Sequence, residues 1–112
     1  MKTELPPIYH WIGKSGKSYP YIVFEFGTRV WDQPGNFIIC EQATPLQVMP
    51  RKIGKTDDLE GELMRLEMIM HEDLESSPAY VHVRINLNEA DSLAEEKDLK
   101  ELYLPDSIRE LF

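Results

Sequence analysis

Cysteine is nearly absent: Cys40 stands alone among 112 residues, so no disulfide can close within the chain. The expectation is a cytoplasmic protein in which Cys40 is an inert core thiol. No apolar run approaches the ~18 residues needed to span a bilayer, so no membrane role is expected. The opening Met1-Lys2-Thr3-Glu4-Leu5-Pro6-Pro7 lacks the apolar centre of a secretory leader.

Cations are scarce too. There are 12 Lys and Arg against 20 Asp and Glu, a net charge of −8. The deficit is uneven: residues 1–56 carry seven cations and four acids, residues 57–112 five and sixteen, or +3 and −11. Nucleic-acid affinity comes largely from Lys and Arg neutralising phosphates, so this balance argues against a nucleic-acid ligand. The acidic half suits a basic protein partner, or simply keeps two helices solvated.

Several chemical motifs are missing. Gly16-Lys17-Ser18 and Gly54-Lys55-Thr56 end like a phosphate loop, but Trp11 and Met49 occupy the positions of its first glycine. His10, His71 and His82 show no H-x₃-H spacing. No serine sits in a G-x-S-x-G elbow. No cofactor is expected.

What is present reads as one α+β domain over residues 1–112, with 42% hydrophobic residues to build a core. Residues 1–7 form a loose arm. Residues 8–12 and 19–26 are short strands around a Gly/Ser/Lys turn, hence an N-terminal hairpin, with Ile22, Phe24 and Phe26 alternating along the second. Residues 36–41 form a central strand, residues 43–50 a loop with two prolines, and residues 51–53 a short fourth strand.

Asp57, with Glu60 three residues on, caps a helix. Leu59, Leu63, Leu66 and Met70 share its inner face; Met64 and Met68 widen that face, as core or as an adaptable binding stripe. After the break at Ser76-Ser77-Pro78, residues 80–86 alternate as a half-buried strand. Asn88 then caps an acidic helix to about Tyr103. A last short helical turn opens at Pro105, with Ile108, Leu111 and Phe112 able to dock. The sheet is expected to be small, mixed or antiparallel, and flanked by the two acidic helices.

One charge stands out in the second helix. At about 100° per residue, Glu96 falls on the apolar stripe of Leu93, Leu99 and Tyr103, while Glu95 and Asp98 fall elsewhere. A carboxylate on a buried face needs a partner or a metal. Two readings are open: a functional acid, or a surface residue paired with Lys100 at i+4.

The element order resembles the GIY-YIG nuclease superfamily, in particular small bacterial members with an extra N-terminal hairpin. The segment from Tyr9 to Tyr19 looks like that hairpin. Gly35-Asn36-Phe37-Ile38 looks like the first family motif, with Phe37 where a tyrosine belongs. Arg51-Lys52-Ile53-Gly54-Lys55-Thr56 looks like the second, with Lys52 replacing its tyrosine. Asp58-Leu59 resembles the start of the next helix, and the family's arginine falls at Glu62. Glu96-Lys97-Asp98-Leu99 resembles the segment that holds the metal-binding glutamate, here Glu96. The family's terminal asparagine has no match beyond Pro105.

The resemblance implies a site in which tyrosine activates water, arginine stabilises phosphate charge and glutamate holds a divalent ion. Phenylalanine moves no proton, and glutamate in place of arginine repels phosphate. The expectation is a degenerate fold with no catalysis and no bound metal, Glu96 being the remnant ligand, compensated by Lys52 or Lys55. The leading function is a protein-binding accessory subunit. Tyr9, Trp11, Tyr19 and Tyr21 are candidate anchors, though a hairpin can also bury them. The alternatives are an acidic inhibitor that mimics nucleic acid and a residual metal-dependent nuclease.

Overall fold

Seven elements follow in the order β1 (Ile8–Ile12), β2 (Ser18–Glu25), β3 (Gly35–Thr44), β4 (Gln47–Thr56), α1 (Leu59–Met70), β5 (Ala79–Ile85) and α2 (Glu89–Tyr103). A computed structural model of the chain describes residues 7–44, 47–70 and 79–105. Residues 1–6 of the expected arm over 1–7, the break at 76–78 and the docking residues Ile108, Leu111 and Phe112 of the last turn lie outside these residues. No helix among the described residues is long and apolar enough to cross a membrane.

The fold is α+β. Its five strands form one antiparallel sheet in the order β1-β2-β5-β3-β4. β5, the last strand in sequence, enters the middle. It was expected to be half-buried, yet Val81 and Val83 are buried on one face and His82 on the other. Helices cover both sides, which is why a strand so placed tolerates little polarity.

α1 covers one face, where Phe37, Ile39, Val81 and Val83 meet Leu59, Leu63 and Leu66, flanked by Ile22, Phe24, Phe26 and Met70. α2 covers the other, where Ile38, Cys40, Ile53, Trp11 and Tyr21 meet Leu99. The 2.0 period of the strands thus sorts odd and even residues of β3 into two cores.

Four local expectations are corrected. The loop over 43–50 is largely strand: β3 and β4 form a long hairpin, with Pro50 opposite Cys40 beside a register irregularity. Proline is tolerated there because β4 is an edge strand, where a missing N–H breaks no ladder bond. The α1 cap is not at Asp57. The Glu62 amide bonds the Asp58 carbonyl at 3.0 Å, and the first free amides, of Leu59 and Glu60, bond the Gln33 and Trp31 carbonyls at 2.9 and 3.1 Å.

Met64 and Met68 do not widen the buried face of α1; they are 47% and 84% exposed. In α2 the buried face runs through Ser92, Glu95 and Leu99, while Leu93 is 53% exposed. Glu96 is therefore not on the buried stripe. The most apolar stripe and the buried stripe differ because α2 packs against a hairpin rich in hydrogen-bond donors. The expected Asn88 cap is present: its side chain accepts from the Asp91 amide at 2.9 Å.

Candidate functional site

The densest polar cluster lies in the seam between the N-terminal hairpin and α2. Tyr21 Oη donates to Glu95 Oε2. Both side chains are buried, at 0% and 2% exposure. Arg84, one strand over, approaches Glu95 Oε1 with Nε at 3.2 Å, an ion pair not aligned as a hydrogen bond. Its guanidinium lies 5.8 Å from the Tyr19 ring centroid. Burial raises the Glu95 pKa, and the Tyr21 hydrogen bond and Arg84 charge only partly oppose this.

One helical turn on, Asp98 receives three donors: Ser15 N at 2.8 Å, Ser15 Oγ at 2.6 Å and Tyr19 Oη at 2.7 Å. Burial alone would push its carboxyl up; the donors and Lys17 outweigh it and hold the pKa below the ordinary value. The Tyr19 phenol is pushed up to about 12, first by burial and then by Asp98. The hairpin turn presses so closely that a Cβ on Gly13 would meet Asp98 Oδ2 at 2.1 Å. Further along, Tyr103 Oη donates to the Ile12 carbonyl at 2.7 Å. Beneath the hairpin, Trp11 Nε1 donates to His82 Nδ1 at 2.9 Å.

The hairpin aromatics and the acids of α2, two separate candidate surfaces in the sequence, are largely each other's partners. Trp11 and Tyr21 are buried, Tyr19 is half-buried, and Tyr9 keeps 37% exposure while its ring lies 4.8 Å from that of Trp11. A cleft of about 280 Å³ opens beside the seam, lined by Lys17, Tyr19, Arg84, Asn86, Asp91 and Glu95. Glu95 could serve as a general acid only if an oxygen faced substrate. One oxygen is held by Tyr21 and the other faces Arg84, so its first role is to dock the hairpin.

The four positions marked by the resemblance do not converge. Phe37 is buried with its ring against Gly54, where an added Cβ would lie 2.5 Å from Cζ. Lys52 pairs with Ile39 in the ladder and so shares its face, the α1 side. Glu62 is on α1 and pairs with Arg65 at 2.6 Å; that hydrogen bond, and more weakly Lys52, lowers its pKa. Glu96 is on α2, across the sheet. It pairs with Lys100 at 3.4 Å, and Lys55 pairs with Glu89 at 3.7 Å, so the expected Glu96 pair with Lys52 or Lys55 is not made. Among the described residues, no group of three or more His, Cys, Asp or Glu gathers as a metal site.

Sequence reasoning passed over Glu95, Asp98, Arg84 and His82. Their donors and acceptors lie 71 to 83 residues away for His82 and the two acids, a distance no local period reports. Comparison of the chain with family models, curated proteins and solved structures finds no match.

Proposed function

We propose that this chain is a non-catalytic protein-binding module, an accessory subunit of the cytoplasm built on a degenerate GIY-YIG-like nuclease fold. The observation that carries this reading is the separation of the four marked positions. Phe37 and Lys52 lie on the α1 side of the sheet and Glu62 on α1 itself, whereas Glu96 sits on α2. A phosphodiester at Glu96 would meet neither of the other chemistry-bearing positions, since Phe37 is buried in the core and Glu62 is held on α1 by Arg65. Phe37 also packs on Gly54 inside the core, where water has no access.

The same geometry disfavours the acidic-mimic reading. A mimic of nucleic acid needs unpaired acids on its surface, yet four of the six acids of α2, Glu89, Glu95, Glu96 and Asp98, have partners among the described residues.

The test is affinity capture with the tagged chain from its native host, washed at low salt and at about 0.5 M salt, where surface charge pairs are screened within a few ångström. A protein partner retained at high salt supports the module. A basic partner lost at high salt would favour the mimic instead, and capture of nucleic acid without protein would contradict the reading.

A further inference from the structure

The two edges of the sheet are built differently. β4 carries Pro50, two irregularities in its pairing with β3, and the cations Arg51, Lys52 and Lys55. These are the features that keep an edge from pairing with another chain. β1 has none of them. Ile8–Ile12 contains no proline, no Lys, Arg, Asp or Glu, and pairs in unbroken register with β2.

The outward groups of β1 can be identified. Val23 N bonds Pro7 O at 2.9 Å and Gly13 N bonds Lys17 O at 2.9 Å. In an antiparallel ladder the bonded pairs alternate, so Tyr9 and Trp11 bond inward and the amides and carbonyls of Ile8, His10 and Ile12 point out. The Ile12 carbonyl takes the Tyr103 hydroxyl; those of Ile8 and His10 have no partner among the described residues. Ile8 and Ile12 are 61% and 51% exposed.

The sequence of this edge is its own complement. Ile8-Tyr9-His10-Trp11-Ile12 reads aliphatic, aromatic, histidine, aromatic, aliphatic in either direction. An antiparallel copy related by a two-fold axis at His10 sets Ile8 against Ile12 of the second copy, Tyr9 against Trp11 and His10 against His10. The outward residues then meet outward residues, as bonding requires. The Ile12 carbonyl has two lone pairs and can keep Tyr103 while it accepts the new amide. Charge favours the same edge: a chain of net charge −8 repels itself, but residues 7–24 contain Lys14 and Lys17 and no acid.

We propose that β1 pairs with β1 of a second copy, joining two five-stranded sheets into one. Five residues a side make a contact at the small end of specific interfaces, so the dimer is weak and reversible, with a dissociation constant of roughly 0.1–1 mM.

The test is sedimentation of the native chain over a concentration series reaching about 1 mM. A reversible shift from 13.1 kDa towards twice that mass is expected. His10→Glu and His10→Lys each place like charges opposite one another and weaken the dimer roughly fivefold. Mixed in equal amounts, they oppose unlike charges and recover it. Amide exchange on the native chain gives an independent readout: protection at Ile8, His10 and Ile12 rises with concentration. A native chain that stays monomeric throughout overturns the proposal. So does a dimer indifferent to both variants, a mixture no stronger than its components, or a monomer whose β1 edge takes a strand from a different protein.

Discussion

Tyr21 on β2 hydrogen-bonds Glu95 on α2 in a seam that buries both side chains, joining residues 74 apart in sequence. The bond shows how an acidic helix can be held against a hairpin of aromatic residues. Phenolic hydroxyls supply the donors that buried carboxylates need, while their rings fill the core.

Glu95 and Glu96 are adjacent but should differ sharply in their effect on stability. Truncation of Glu95 leaves Tyr21 and Arg84 facing a cavity. Glu95→Ala is expected to cost about 3–5 kcal/mol, the range for breaking a buried charged pair. Glu96 holds a partly exposed i,i+4 pair with Lys100, so Glu96→Ala should cost no more than about 0.5 kcal/mol. Urea unfolding of both variants checks the contrast; equal losses would contradict the phase of α2.

Glu95 also sets a pH dependence. Its pKa is raised above the ordinary 4.5 by burial, so the folded chain binds this proton more tightly than the unfolded chain. The contribution is fully present below pH 4.5 and is lost as pH rises through the raised value. Glu95→Gln cannot ionise and keeps an acceptor for Tyr21. Its stability relative to the native chain should therefore climb with pH above 4.5, measured by urea midpoints at matched ionic strength. A constant difference across that range would contradict this.

His82 behaves in the opposite sense. Burial pushes its pKa down from 6.5 to about 4, and the Trp11 donor on Nδ1 leaves the ring proton on Nε2. Its contribution to stability is present above pH 6.5 and is lost as pH falls towards about 4. Imidazole NMR should show a neutral Nε2–H ring at pH 6. A His82 resonance that titrates near 6.5 would show that the ring is not sealed in the core.

Gly54 and Phe37 should be coupled. A methyl group at residue 54 runs into the Phe37 ring at 2.5 Å, so Gly54→Ala is expected to cost about 1–3 kcal/mol through overpacking. Phe37→Leu in the same chain gives the methyl group room, and the double variant should lose less than the sum of the single losses. Additive losses in denaturant titrations would place the ring elsewhere.

The elements were largely legible in the sequence. Alternation showed β2 and β5, the Leu59, Leu63 and Leu66 spacing showed α1, and Asn88 showed the start of α2. The long β3–β4 hairpin was hidden because Pro50 reads as a loop until its place on an edge is known. The site was much less legible. Hydrophobicity phased α2 through Leu93 and Glu96, because a helix normally buries its apolar residues. The phase is reversed by Tyr19, Tyr21 and Ser15, whose position against α2 depends on β5 entering mid-sheet and carrying the hairpin with it. Local periodicity contains no term for such distant donors.

The most direct test of binding without catalysis is incubation of the purified chain with plasmid, single-stranded DNA and RNA in magnesium and in manganese. No cleavage above that of the Glu96→Ala variant is predicted. Metal-dependent cleavage by the native chain that disappears in Glu96→Ala would contradict the account.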